Sequence, residues 1–97
     1  ISLIKFKLAT FLSETGEFEK AIDMFREIAT NSPNTPEAEM SIIKKAFIEM
    51  EELNKPIKAA ETLKSFMEKY PNSDWLFYAF DIKRKADLMA SQSIDIA

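Results

Sequence analysis

The feature that most constrains the fold of this chain is a turn sequence that occurs twice. Ser32-Pro33-Asn34-Thr35 recurs as Tyr70-Pro71-Asn72-Ser73, so that Pro71 follows Pro33 by 38 residues. The same spacing relates residues of like size or like turn preference: Leu12 to Met50, Gly16 to Asn54, Ala21 to Ala59, Phe25 to Leu63, and Ile28 to Phe66. A fixed period of about 20–50 residues indicates repeated supersecondary units that bury their apolar faces against one another.

The spacing of apolar residues within each unit predicts α-helices, because side chains three and four positions apart share one helix face. Four such faces can be read from the sequence: Ile1, Ile4, Leu8, Phe11 and Leu12; then Phe18, Ala21, Ile22, Phe25, Ile28 and Ala29; then Met40, Ile43, Ala46, Phe47, Met50 and Leu53; and finally Ile57, Ala60, Leu63, Phe66, Met67 and Tyr70. The chain has one glycine, which favours long helices with short connections over a sheet rich in turns.

Turn residues predict where the helices begin and end. Gly16 should end the first helix, since glycine tolerates the left-handed conformation found at helix C-termini, and Asn54 occupies the matching place in the second unit. Pro36 should open the third helix after a cap at Asn34 or Thr35. Asn54 is also the predicted cap of the fourth helix. A fifth should follow Ser73 and end near residue 91, with a frayed end over 91–97.

These elements predict an all-α fold of about five helices in antiparallel helix–turn–helix repeats. Repeat 1 covers about residues 1–33, repeat 2 about 34–71, and an unpaired or capping helix about 73–91, all within one domain. The first residue is Ile1 rather than Met, so we interpret the chain as a fragment, a processed product or the ordered part of something longer.

The repeat resembles the tetratricopeptide repeat family over about residues 5–80. The first unit carries the family pattern at Leu8-Ala9, Leu12, Gly16, Phe18, Ala21, Phe25 and Pro33, and departs from it only at Ile28, where alanine is usual. The second unit carries it at Ala46-Phe47, Met50, Asn54, Ala59, Leu63, Phe66 and Pro71, with Pro56 where an aromatic residue is expected. The resemblance implies a right-handed α-solenoid.

The resemblance also implies a concave groove that binds a peptide, a helix or a folded partner. The positions that should face it are Phe6, Thr10, Ser41, Lys44 and Ile48. The alternative for Phe6 and Ile48 is that they are ordinary packing residues. The spacing and the Tyr-Pro-Asn-Ser turn are similar to repeats of bacterial cell-envelope proteins, of the TolA-binding and outer-membrane-assembly lipoprotein types. That likeness suggests the periplasm or cell envelope, with the cytoplasm as the alternative.

The start of the fifth helix is unusually aromatic. Trp75, Phe77 and Tyr78 lie within four positions, and Phe80 follows them, so that more than one face is apolar. A helix that is apolar all round is normally buried on both sides. One interpretation is that a further repeat or another copy of the chain covers it. The other is that Trp75, Phe77 and Tyr78 bind a partner, since such residues dominate binding hot spots.

Composition excludes several classes of function. The net charge is −3 and lysine alternates with glutamate, which argues against a nucleic-acid partner. Histidine and cysteine are both absent, which excludes a catalytic triad, thiolate chemistry and the common zinc sites. The acidic cluster of Glu49, Glu51 and Glu52 is predicted to be a solvated helix face rather than a cation site. No apolar run is long enough to span a membrane.

The sequence therefore predicts a protein-interaction scaffold with no catalytic residues and no cofactor. Its partner should be a protein or peptide, with no nucleic acid and no direct membrane span. Two alternatives remain open at this point. The first is self-association into a homo-oligomer through the aromatic fifth helix, and the second is an accessory repeat region of a larger enzyme.

Overall fold

Among the residues that the structure describes, the chain forms five α-helices joined by short turns. In a computed structural model, which describes residues 1–96 and side chains through residue 92, the helices span Ser2–Glu14 (α1), Phe18–Asn31 (α2), Pro36–Glu51 (α3), Pro56–Lys69 (α4) and Leu76–Ile96 (α5). No strand occurs among these residues. The start of α4 follows that of α2 by 38 residues, as the repeat predicts, and Pro56 occupies its first turn without displacing it. The predicted all-α fold is confirmed.

The helices form a curved slab instead of a closed bundle. Each helix packs on the next one in sequence, α1 also contacts α3, and α3 also contacts α5. Within the described residues α2 and α4 do not approach each other closely, so the slab curves towards the side that carries α1, α3 and α5. Its extents are 44 × 32 × 16 Å. The concave surface is consequently built from alternate helices.

Two hydrophobic clusters hold the slab together, and α3 belongs to both. The first joins α1 and α2 to Ile48 of α3, and the second joins α3 to α4 and α5 through Ile43, Ala46 and Met50. Ala21 and Ala59 are fully buried, as the close approach of paired helices requires. Each large apolar side chain that is fully buried, such as Phe25 or Leu63, stabilises the fold by about 1.5–3 kcal/mol.

The helix ends follow local turn chemistry. Gly16 and Asn54 both have left-handed backbones, with φ of 87° and 54°, which confirms their predicted equivalence. Thr35 caps α3, because its Oγ1 accepts a hydrogen bond from the Ala38 N–H at 3.2 Å. The prediction that Asn54 caps α4 is wrong. Its left-handed backbone ends the preceding turn, and Lys55 takes the cap position without a side-chain hydrogen bond.

The bounds of α5 differ from prediction at both ends. The Ser73 Oγ accepts a hydrogen bond from the Trp75 N–H at 3.0 Å, and a short turn delays the helix until Leu76. The helix then continues to Ile96, beyond the predicted end near residue 91, because the sequence from Ser91 to Ile96 contains neither proline nor glycine. The rest of the predicted frayed end, Ala97, lies outside the described residues.

The buried face of α1 also differs from prediction. Ile1, Ile4, Leu8 and Phe11 are exposed, at 92%, 72%, 48% and 58% of their surfaces, and only Leu12 of that predicted face is partly buried. The helix instead packs on α2 through Phe6 and Ala9, which lie on its opposite side. Smaller departures of the same kind occur at Phe47 and Ile57, which are exposed rather than buried.

Tyr70 ties the two repeated turns to each other. Its hydroxyl donates a hydrogen bond to the Pro33 carbonyl oxygen at 2.9 Å, and its ring packs on Phe66 with 5.3 Å between centroids. Burial, and then the negative charge of Glu39, raise the pKa of Tyr70 above its usual value of 10.0. The fold therefore favours the protonated phenol.

We expect Tyr70→Phe to lower the free energy of unfolding by about 1 kcal/mol at pH 7, because the Pro33 carbonyl loses its donor. The pKa of Tyr70 is higher in the folded chain, so its stabilising effect is complete below pH 10 and is lost as the pH rises through the folded value. Urea unfolding of both proteins between pH 8 and about pH 11 measures this. A difference between them that does not shrink at high pH would contradict the assignment.

Candidate functional site

A groove of about 390 Å³ lies on the curved face of the slab. Its floor is α3, one wall is the C-terminal half of α1, and the other wall is the start of α5. The lining residues are Thr10, Ser13 and Glu14 from α1, Phe25 from α2, Met40, Ile43, Lys44, Phe47 and Ile48 from α3, Trp75 in the turn just before α5, and Tyr78 from its first turn. We call this surface the concave groove.

Three aromatic side chains in the concave groove remain partly open to solvent. Phe47 is 43% exposed, Trp75 39% and Tyr78 48%. Trp75 and Tyr78 contact edge to face with 6.1 Å between ring centroids, which fixes both rings on one wall. The opposite wall is polar, so the groove offers aromatic packing on one side and hydroxyl and carboxylate groups on the other.

Lys44 is the cation of the concave groove. Its ammonium lies 5.8 Å from the centroid of the Phe6 ring, and it forms no salt bridge with the residues that the structure describes. The Thr10 hydroxyl donates a hydrogen bond to the Phe6 carbonyl oxygen at 2.9 Å, so the hydroxyl oxygen of Thr10 can still accept a hydrogen bond. A bound segment would thus meet one donor cation on the floor of the groove and one acceptor hydroxyl on the wall opposite Trp75 and Tyr78.

The structure brings together five of the eight predicted partner-binding residues. Thr10, Lys44, Ile48, Trp75 and Tyr78 all line the concave groove. Of the other three, Phe6 is nearly buried beneath Lys44 and packs on Phe25 with 5.7 Å between centroids, whereas Ser41 is fully buried within α3. Phe77 is 88% exposed but does not line the groove. Ile48 is only 4% exposed, so it lines the floor as a packing residue.

Sequence reasoning missed Phe47 and the polar wall formed by Ser13 and Glu14. Phe47 fits the apolar stripe of α3, and that pattern predicts a core position for it. It lies three positions after Lys44, however, and residues three apart share a helix face. The predicted position of Lys44 is therefore the signal that could have placed Phe47 in the groove.

Of the acidic cluster, Glu51 and Glu52 are exposed as predicted, but Glu49 is not. Glu49 is 1% exposed, and its carboxylate is held by Lys45, whose ammonium lies 3.0 Å away, and by the Thr62 hydroxyl at 2.8 Å. Lys45 precedes Glu49 by four positions on α3 itself, but Thr62 comes from α4. The prediction is wrong for Glu49 because sequence spacing alone does not show that α4 covers it. Among the described residues, no three carboxylates converge on a point where they could ligate a metal ion.

None of the described helices combines the length and the hydropathy that crossing a bilayer requires.

Comparison with known proteins gives a match to one protein family. A family model described as tetratricopeptide repeat matches the chain twice, over residues 5–35 and 43–73. Each match covers most of one helix hairpin and the turn after it, at the period of the internal repeat. The searches of curated proteins and of solved structures found nothing that matches. The likeness to bacterial cell-envelope proteins thus stays a prediction.

Proposed function

The chain belongs to the tetratricopeptide repeat family, and on that premise we propose that it binds a segment of another protein in the concave groove. Repeats of this family generally serve as interaction modules and not as enzymes. The observation that carries the proposal is the partial exposure of Phe47, Trp75 and Tyr78 along one groove, in a chain whose other groove-facing apolar residues are largely buried.

The aromatic wall is suited to anchor a partner. Large aromatic side chains bury much area for little loss of rotamer freedom, and such residues account for most of the energy at protein interfaces. The edge-to-face contact of Trp75 with Tyr78 orders both rings before a partner binds, which lowers the entropy lost on association. Lys44 and the polar wall would then orient the segment.

Selection from a phage-displayed library of random peptides tests this proposal, because a random library supplies ligands without a natural partner in hand. Trp75 is the only tryptophan in the chain, so its fluorescence reports directly on the groove when a selected synthetic peptide is titrated in. We expect Tyr78→Ala to weaken binding of that peptide about 30-fold or more, as the loss of a hot-spot residue does.

Phe77→Ala is the matched control, since Phe77 is the neighbouring aromatic residue on the same helix but lies outside the groove. Affinity should change less than about twofold in this variant, because truncation of a side chain outside the interface removes no contact. Equal losses in the two variants, or peptides that bind without changing the fluorescence of Trp75, would exclude the concave groove as the binding site.

A further inference from the structure

A second concavity, of about 360 Å³, lies on the convex side of the slab, in the gap that separates α2 from α4. Its floor is formed by Ile42 of α3, and its walls carry Arg26 and Thr30 of α2 and Lys58, Ser65 and Lys69 of α4. We call this surface the convex cleft. All of its lining residues lie between positions 25 and 69, so the structure describes the whole of the cleft.

The convex cleft concentrates positive charge. The chain as a whole carries a net charge of −3, but the cleft is lined by four cations, Arg26, Lys45, Lys58 and Lys69, and by one carboxylate, that of Glu61. Charges of one sign that line a concave surface create a local potential, which attracts ligands of the opposite sign. A ligand of this cleft should therefore be anionic.

Two of these cations are already paired within the protein. The Lys45 ammonium lies 3.0 Å from the buried carboxylate of Glu49, and the Arg26 guanidinium donates a hydrogen bond to Asp23 at 3.0 Å. Both pairs lower the positive charge that a ligand would meet at these two positions. The attraction for an anion consequently depends on the two lysines of α4.

Lys58 and Lys69 are exposed, and neither forms a salt bridge with the residues that the structure describes. They are 11 positions apart, with Thr62 and Ser65 between them at steps of four, three and four, so the four side chains share one face of α4. At a rise of about 1.5 Å per residue, the two lysines lie about 16 Å apart along the helix. An extended chain covers that distance in about five residues, so two anionic groups on a short extended segment fit the lysines better than one small anion does.

The middle of the convex cleft is suited to uncharged residues. Ile42 is partly buried there, and the Thr30 and Ser65 side chains are exposed, with hydroxyls that can donate to or accept from a peptide backbone. Glu61 also lines this part of the cleft, one helical turn after Lys58. A nucleic-acid strand carries a negative charge at every nucleotide and would place one beside the Glu61 carboxylate. A peptide with acidic residues only near its ends avoids that repulsion.

We propose that the convex cleft binds an extended acidic segment of a partner protein. Two carboxylates about five residues apart pair with Lys58 and Lys69, and the small uncharged residues between them lie over Ile42. The site is separate from the concave groove, since the two surfaces lie on opposite sides of α3. One chain would then hold two protein segments at once, one on each side of the slab.

Nuclear magnetic resonance titration of the whole 97-residue chain tests the proposal. The probe is a hexapeptide with blocked termini, glutamate at both ends and alanine between, and the control peptide carries glutamine in place of glutamate. We expect the acidic peptide to shift the backbone amide signals of residues 26–30 and 58–69 to saturation, and the glutamine peptide to bind about tenfold more weakly. An increase in salt from about 20 to about 200 mM should weaken binding of the acidic peptide, because both lysines are exposed.

Lys58→Gln and Lys69→Gln should each weaken binding of the acidic peptide about threefold, since each removes one ion pair. Lys64→Gln is the matched control, because Lys64 is an exposed lysine of the same helix that does not line the cleft. It removes the same charge from the chain and no contact with the peptide, so its effect should be less than about 1.5-fold. All three side chains are exposed, and the melting temperature of each variant should match that of the wild type.

Three results would overturn the proposal: equal losses of affinity in Lys64→Gln and Lys58→Gln, equal binding of the glutamate and glutamine peptides, or tighter binding of inorganic phosphate or a short oligothymidylate at the same amide signals. The last result would assign the cleft to phosphate groups instead of an acidic protein segment. The test is independent of the concave groove. Tyr78→Ala should weaken binding in the groove and leave the titration with the acidic peptide unchanged.

Discussion

Lys45→Met is expected to lower the free energy of unfolding by about 3–5 kcal/mol, because it leaves the charge of Glu49 buried without its cation. The Lys45 ammonium lies 3.0 Å from one oxygen of that carboxylate and 3.2 Å from the Thr62 hydroxyl oxygen. Thr62 in turn donates to the other carboxylate oxygen at 2.8 Å. The three groups form a closed triangle between α3 and α4, and chemical unfolding followed by circular dichroism measures its contribution.

The double variant Lys45→Met/Glu49→Leu separates the buried charge from the packing around it. A buried ion pair replaced as a whole by apolar residues is often neutral or stabilising, so most of the loss should be recovered. Lys58→Met is the matched control on α4, and we expect it to change stability by less than about 0.5 kcal/mol, since Lys58 is exposed. If Lys45→Met lowers the free energy of unfolding by no more than Lys58→Met does, then solvent, and not the triangle, stabilises the charge of Glu49.

The helices and their pairing could be predicted because the information for them is local. The repeated turns set the period, and Gly16 and Asn54 mark the two left-handed positions. Apolar spacing does not show which side of a helix packs on another helix when apolar residues occur on two sides, as they do on α1. Such spacing predicts burial of the side with more large apolar residues. The structure buries the side that carries Ala9, because a close contact between two helices needs a small side chain.

The groove and the buried triangle depend on contacts between distant parts of the chain. Family resemblance places Thr10 and Lys44 on the concave face, and the aromatic richness of α5 singles out Trp75 and Tyr78. The sequence could not show that these two pairs lie in one groove, since that follows from how α1, α3 and α5 pack. Glu49 could not be assigned for the same reason, because Thr62 reaches it from another helix.

Phe66→Ala is expected to destabilise the chain by about 3–5 kcal/mol, the usual loss when a buried phenylalanine is truncated. Phe66 is 1% exposed and belongs to the cluster that joins α3, α4 and α5. In a repeat protein each helix depends on its neighbours, so the cavity should loosen α5 more than α1. Trp75 adjoins the start of α5, and its fluorescence should therefore change at a lower urea concentration than the helix content of the whole chain.

Phe80→Ala makes the same chemical change on an exposed part of α5, where the side chain is 60% exposed. It should alter stability by less than about 0.5 kcal/mol, because no cavity forms. The order of the two transitions in Phe66→Ala is the decisive measurement. If fluorescence and circular dichroism remain coincident, the five helices unfold as one cooperative unit, and α5 is held by more than the cluster around Phe66.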